Sequence, residues 1–228
     1  TEYQQQWEKW HDGEIPDEPK PPDRDLENET LAGVLTGDIL VQFHCYRAED
    51  MLAVLQVAHE FDFHVRSFHH ALEAYKIRDI LAKEDIAVST WADWWGFKVE
   101  AYDGIPYQIG LLDEAGVRAI VKSDSPVDEQ RLNQEAAKAW RYATEAGVNV
   151  TADRALRWIT ANPAWALGID GETGTLEANK RADVVVWDGN PFSVYTHAEL
   201  VFVGGVLEYD RNHPPGWRSD FLIGQEQP

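Results

Sequence analysis

Hydrophobic and polar positions follow two alternating rhythms through the first two thirds of the chain. The segment "LAGVLTGDILVQFHCY" reads as a short helix, a turn at Gly37 and a β-rich run ending at His44. In "AEDMLAVLQVAHEF", Met51, Leu52, Leu55 and Ala58 recur at helical spacing, and a second β run, "FHVRSFHH", follows. Next come a helix in "EAYKIRDILAKE", a strand in "IAVSTW", a Trp-rich loop leading to a helix that reaches Ala115, a strand in "VRAIVKSD" and a helix in "DEQRLNQEAAKAWRYATEAG". Strand and helix thus alternate four times, the pattern of parallel strands joined by helical crossovers. Two architectures fit: a self-contained doubly wound sheet, and part of a (β/α) barrel. The four units fill roughly 110 residues where a complete barrel needs about 250, so a barrel would be half present.

The rhythm changes after residue 150. "TADRALRWITANPAWALGI" predicts two short helices broken at Asn162-Pro163. "GTLEANKRADVVVWDGNPFSV" and "AELVFVGGVLEYD" are short β runs punctuated by Gly, Asn and Pro, which predicts a small antiparallel module. At the other end, residues 11–25 hold four prolines among charged residues and predict an exposed connector after the helix-like "TEYQQQWEKW". The expected divisions are 1–36 (helix and Pro-rich connector), 37–168 (the α/β units and following helices), 169–212 (the β module) and 213–228 (an irregular tail lying over a surface).

Composition narrows the partners. The 40 acidic and 20 basic side chains among 228 residues give a formal net charge of -20, which repels nucleic acid and anionic membrane surfaces. The single cysteine, Cys45, rules out an intrachain disulfide, and no run of about 18 apolar residues exists to span a bilayer. The chain reads as soluble. Its start shows neither an initiator Met nor a signal-peptide pattern, suggesting that other residues precede it; the compartment, cytoplasmic or periplasmic/secreted, stays open.

Three predicted strand ends carry metal-competent side chains: His44, the pair His69 and His70, and Asp124. In α/β folds such ends ring one face, because the following loops and helix starts emerge together. The spacings, 26 and then 54 residues, correspond to one and two βα units, so all three positions can share a pocket. Taken singly, each has a plainer reading. A strand-end histidine is commonly a hydrogen-bonded structural residue, and Asp124 alone is explained as a helix N-cap. His59 and His64 suit that plainer role, and His11, His197 and His213 lie where no strand end positions them.

The segments "ILVQFHCYRAED", "FHHALEAYKIRDILA", "STWADWWGFKVEAYDGIPY", "VKSDSPVDEQRLNQEAAKA" and "LRWITANPAWALGIDGETGTLEANKRADVVVWDGNP" resemble, in order, the second half of a metal-dependent amidohydrolase of the imidazolonepropionase-like, peptide-hydrolysing branch. The resemblance runs from about residue 3 to 210. It implies an α/β fold, the second half (strands five to eight) of a distorted TIM (β/α)8 barrel with part of a small β-sandwich, completed by another chain. It further implies metal ligands at His44, His70 and Asp124, a cofactor of one or two divalent ions, zinc, and hydrolysis of an amide, peptide-type or cyclic C–N bond by a metal-activated water. Asp124 would be the general base, taking that water's proton and passing it to the leaving nitrogen. Tyr46 and Arg47 would meet a substrate carboxylate, and Trp94 and Tyr102 of the Trp-rich loop would wall an apolar pocket, with packing the rival role for the tryptophans. Strand alternation puts His69 and His70 on opposite faces; the family motif selects His70, leaving His69 to the helical layer or to a supporting role.

Family members also carry a His-x-His pair on the first strand and a bridging Lys or Glu on the fourth, and no His-x-His occurs in these 228 residues. Half a barrel would also leave sheet edges and an apolar interior in water. The expectation is therefore a second polypeptide carrying strands one to four, a distinct subunit or the other product of a cleavage before Thr1, within a hetero-oligomer of higher order. A rival from another class is a non-catalytic binding or assembly subunit that keeps the fold. A third, Thr1 as an N-terminal nucleophile, conflicts with the polar, helix-like segment that follows it.

Overall fold

The computed structural model describes residues 2–213; Thr1 and residues 214–228, nearly all of the expected tail, lie outside it. The chain separates into two compact units that divide after Ile39. The first holds helices α1 (Glu2–His11) and α2 (Leu26–Thr36), with the proline-bearing segment between them irregular. Asp25 starts α2 by accepting hydrogen bonds from the Glu27 and Asn28 amides, and Gly37, at φ +80°, ends it as the turn residue the sequence suggests.

The second unit is built on four parallel strands, β1 (Val41–Cys45), β2 (Val65–His70), β3 (Ala87–Thr90) and β4 (Arg118–Val121), in the order β1-β2-β3-β4. Helices α3 (Ala48–Phe61), α4 (Arg78–Lys83), α5 (Gln108–Glu114) and α6 (Leu132–Glu145) connect and follow them, and a 3-10 turn at Ala74–Ile77 leads into α4. One face of the sheet supplies Phe43, Phe68, Val88, Ala119 and Val121 to the main core, against Met51 and Leu55 of α3, Ile109 and Leu112 of α5 and Ala136 and Ala139 of α6. The register places Gln42, Ser67, Ala87 and Arg118 in one row of the opposite face, and His44, His69, Ser89 and Ile120 in the next. This second face carries His44 and His69.

Helices α7 (Ala152–Arg157) and α8 (Ala161–Ala166) come next. Their break falls at residues 158–160 and not at Asn162-Pro163. Pro163 is the third residue of α8, a first-turn position whose amide has no intrahelical partner to lose. Asn162 Nδ2 then donates to the Ala119 carbonyl of β4 at 2.7 Å. Trp165 of α8, with Ala166, packs on Ala87 and Ile120 of the second face. The Arg66 and Arg118 guanidiniums lie over its indole, 3.2 and 3.9 Å from the ring centre. Arg66 is free to do so because the ladder skips it between the Val41–Val65 and Gln42–Ser67 pairs.

The expected antiparallel module is three-stranded: β5 (Val184–Trp187), β6 (Ala198–Val203) and β7 (Val206–Asp210), in that order. Gly204 and Gly205, both at positive φ, form the two-residue turn joining β6 and β7.

Candidate metal centre

His44 is the last residue but one of β1, and His69 and His70 end β2, so three imidazoles come together. His44 Nδ1 is 3.1 Å from His70 Nε2, and the two rings meet edge to face. His44 and His69 are register partners, and their rings stack at 5.0 Å with 4° between planes. The expectation that His69 faces the helical layer therefore fails. Alternation puts His69 on the face of His44; it is His70 that alternation would send away. His70 returns because its backbone is left-handed, φ +66°, as is that of Ala71, φ +41°. With the pleat broken there, both histidines reach His44. Such a conformation is costly for a residue with a Cβ and persists where neighbouring contacts hold it. Here the Ala71 amide donates to the Cys45 carbonyl at 2.7 Å and the Glu73 amide to the Tyr46 carbonyl at 3.1 Å.

Hydrogen bonds fix the rings further. Gln42 Oε1 accepts from Ser67 Oγ at 3.0 Å and from His69 Nε2 at 2.8 Å, which leaves the His69 Nδ1 lone pair free. Lys122 Nζ donates to His70 Nδ1 at 2.6 Å and lies 3.6 Å from Asp124 Oδ2. Burial, reinforced by His44 and Lys122, pulls the pKa of His69 down to about 4; burial, then Lys122 and His44, does the same to His70. Both are neutral imidazoles at pH 7, the form that ligates a metal. Burial also lowers the pKa of Lys122, against the pull of Asp124.

Asp124, the third expected ligand, sits just past β4 at φ +54° with its side chain 53% exposed. It is not the N-cap its position suggested. Ser125 Oγ accepts from the Val127 and Asp128 amides, and α6 starts only at Leu132. The donors fit a divalent cation in kind: two imidazoles in contact and a carboxylate joined to them through Lys122. They fall short in number, since among the described residues no three His, Cys, Asp or Glu side chains are gathered closely enough to hold an ion. A catalytic zinc takes three protein ligands.

The expected substrate residues are dispersed. Tyr46 stacks on His70 at 4.8 Å and Trp94 on Trp91 at 5.4 Å. Arg47 lies 3.8 Å from Glu49 at the surface, and Tyr102 is 80% exposed. Neither reaches the histidines. Two participants were missed as site residues. Lys122 lies two residues before Asp124 and so on the same side of an extended segment, a signal that was legible. Trp91, 2% exposed, stacks on His70 at 4.8 Å, and the Trp-rich loop alone does not single it out from its neighbours. Elsewhere the plain role holds: His59 meets Glu84 Oε2 at 3.1 Å, His64 the Glu84 carbonyl at 2.9 Å, and His213 Asp210 at 3.0 Å.

Parallel strands bring His44, His69, His70 and Asp124 to one side of the sheet, and the chain belongs to the amidohydrolase superfamily. Residues 100–209 match the model of the Amidohydrolase family. Amidohydrolase tasK of Hapsidospora irregularis is 35% identical over 191 residues, covering 82% of this chain. An N-substituted formamide deformylase of Arthrobacter pascens is 35% identical over 150 residues, 58% of this chain. The chain spans only 19% and 27% of those two proteins. Among solved structures, an amidohydrolase from Thermotoga maritima MSB8 superposes with a TM-score of 0.76 at 30% identity, over 92% of this chain and 54% of its own. An adenosine deaminase from Xanthomonas campestris, solved with bound zinc, shares the fold with a TM-score of 0.62 at 18% identity, over 86% of this chain and 50% of its own.

Proposed function

We propose that this chain supplies the strand-five-to-eight share of the active site of a metal-dependent amidohydrolase that cleaves an amide, peptide-type or cyclic C–N bond. The observation that carries this reading is the meeting of His44 and His70 at 3.1 Å, from strand ends 26 residues apart in sequence, with Asp124 on the same side of the sheet. The sequential strand order supports a barrel segment over a doubly wound sheet, whose order reverses. The outermost strands, β1 and β4, each pair with one neighbour within the sheet, which supports closure by residues beyond this chain. Those residues, on a second polypeptide or another stretch of a longer one, would bring the remaining ligands: a His-x-His pair and a bridging Lys or Glu.

His44, His70 and Asp124 would hold one or two divalent ions, with zinc the proposed metal. A bound ion supplies Lewis acidity to the scissile carbonyl and to the attacking water. Asp124, exposed at the strand end, would take the water's proton and deliver it to the leaving nitrogen. Lys122, whose ammonium lies 3.6 Å from Asp124 Oδ2 and 2.6 Å from His70 Nδ1, would hold that carboxylate beside the histidine. Tyr46 and Arg47 are proposed to meet a carboxylate on the substrate, with Trp94 and Tyr102 toward its apolar part; in the present geometry Arg47 would first have to leave Glu49.

The test is hydrolysis by the complete protein against a panel of N-acyl and N-formyl amides. Asp124→Asn is expected to lower kcat by about 10²- to 10⁴-fold, the usual worth of a general base. Undiminished turnover in Asp124→Asn overturns the assignment, and a complete protein that holds no stoichiometric metal points to the non-catalytic assembly subunit.

A further inference from the structure

Of the Trp-rich loop between β3 and α5, the proposed chemistry uses Trp94 and Tyr102 and leaves Trp91 without a role. Its first tryptophan is also its most deeply buried: Trp91 is 2% exposed, and its indole Nε1 has no hydrogen-bond partner among the described residues. A buried, unsatisfied N–H is a cost that a phenylalanine or leucine would avoid. The ring itself must therefore serve where it stands. It touches His70, stacked at 4.8 Å with 20° between planes, and Lys122, whose ammonium lies 4.3 Å from its ring centre.

Tyr46 lies against the same imidazole at 4.8 Å with 17° between planes. Tyr46 and Trp91 are 6.1 Å apart and tilted by 37°, far less than two stacking distances end to end. The histidine is thus seated in a corner formed by the two rings, and His44 meets it edge to face as a third neighbour. We propose that Trp91, together with Tyr46, is a positioning residue for His70: the corner holds the imidazole with Nε2 turned toward His44, the residue with which it would share a metal, against a left-handed backbone that would otherwise relax.

The corner is built on a fastened loop. Asp93 accepts from Lys138 Nζ of α6 at 2.6 Å, and the same ammonium meets Glu135 at 2.8 Å. At the far end Asp103 accepts from Lys76 Nζ at 2.6 Å, while Tyr75 Oη donates to its carbonyl at 3.0 Å. Leu72 and Ala101, both fully buried, pack with Trp91 beneath. Trp94 stacks on Trp91 from the loop itself at 5.4 Å, and Phe97 meets both edge-on.

This inference rests on His70 being a metal ligand, so its test separates the two. In the complete protein, zinc affinity is measured by competition with a chelator, and the cobalt-substituted protein gives a visible spectrum that reports ligand geometry. Trp91→Leu keeps apolar volume without an aromatic face; it is expected to weaken zinc binding by about tenfold, the usual effect of losing a group that orients a ligand, and to change the cobalt spectrum. Trp91→Phe falls between it and the parent. Where Trp91→Leu does not fold, Tyr46→Leu, from the other side of the corner, is expected to show the same loss. Parent-like affinity and spectrum in either folded leucine variant overturn the proposal. His70→Ala is the control: if it binds zinc as the parent does, the metal-ligand reading itself falls, and the corner with it.

Discussion

Two of the three proposed ligand positions, His70 and Asp124, carry left-handed backbones at residues that are not glycine, as does Ala71 beside the first. Each costs on the order of 1 kcal/mol or more, and such costs persist at sites where geometry is part of the function. Lys122 adds a second local conflict. Its ammonium donates to His70 Nδ1, so in this arrangement His70 carries its proton on Nε2 and turns that nitrogen toward His44. A cation held there also opposes a second cation. Lys122→Met keeps the stem and removes the charge, and it is expected to tighten zinc binding by about tenfold, roughly 1.4 kcal/mol. Weaker binding in that variant, read by the same chelator competition, shows instead that the lysine amine supports the ligand. Lys122 was legible from its spacing to Asp124. The turn of His70 was not, because no residue type in "SFHHALE" announces a left-handed backbone and the strand's alternation points the other way.

The helices and strands that place these residues depend on close approach. Gly110 of α5 faces Ala143 of α6 so closely that a Cβ added at Gly110 would stand 2.4 Å from the Ala143 Cβ. Helix propensity alone favours Gly110→Ala by up to about 1 kcal/mol. The collision is between two methyl groups anchored on backbones, with no flexible side chain to yield, so packing wins. Gly110→Ala is expected to destabilise the fold by about 1–3 kcal/mol in urea denaturation; a gain in stability contradicts this account of the α5–α6 contact. All four strands and the helices between them were legible because each βα unit carries its own periodicity. The break between α7 and α8 was misplaced for a physical reason: proline stops a helix it would sit inside, yet is tolerated in a first turn, and "TANPAW" does not say which applies. Trp165 held beneath two guanidiniums was illegible too, since the partners come from strands 99 residues away at Arg66 and nearer at Arg118.

At the scale of the molecule, a sequential parallel sheet, a three-stranded antiparallel module and relatives that extend well past this chain give one consistent picture. No helix among the described residues is long and apolar enough to cross a membrane. The family was legible from motif order, whereas the shortage of ligands was legible only once the family's pattern was set beside the residues present. The central claim is that His44 and His70 share a metal ion with Asp124 in the complete protein. Its most direct test is X-ray absorption of the zinc-loaded complete protein, parent against His70→Ala. The account predicts a shell with imidazole nitrogens at about 2.0–2.1 Å that loses one such ligand in the variant. A parent spectrum without imidazole ligands, or a variant spectrum identical to the parent's, contradicts it.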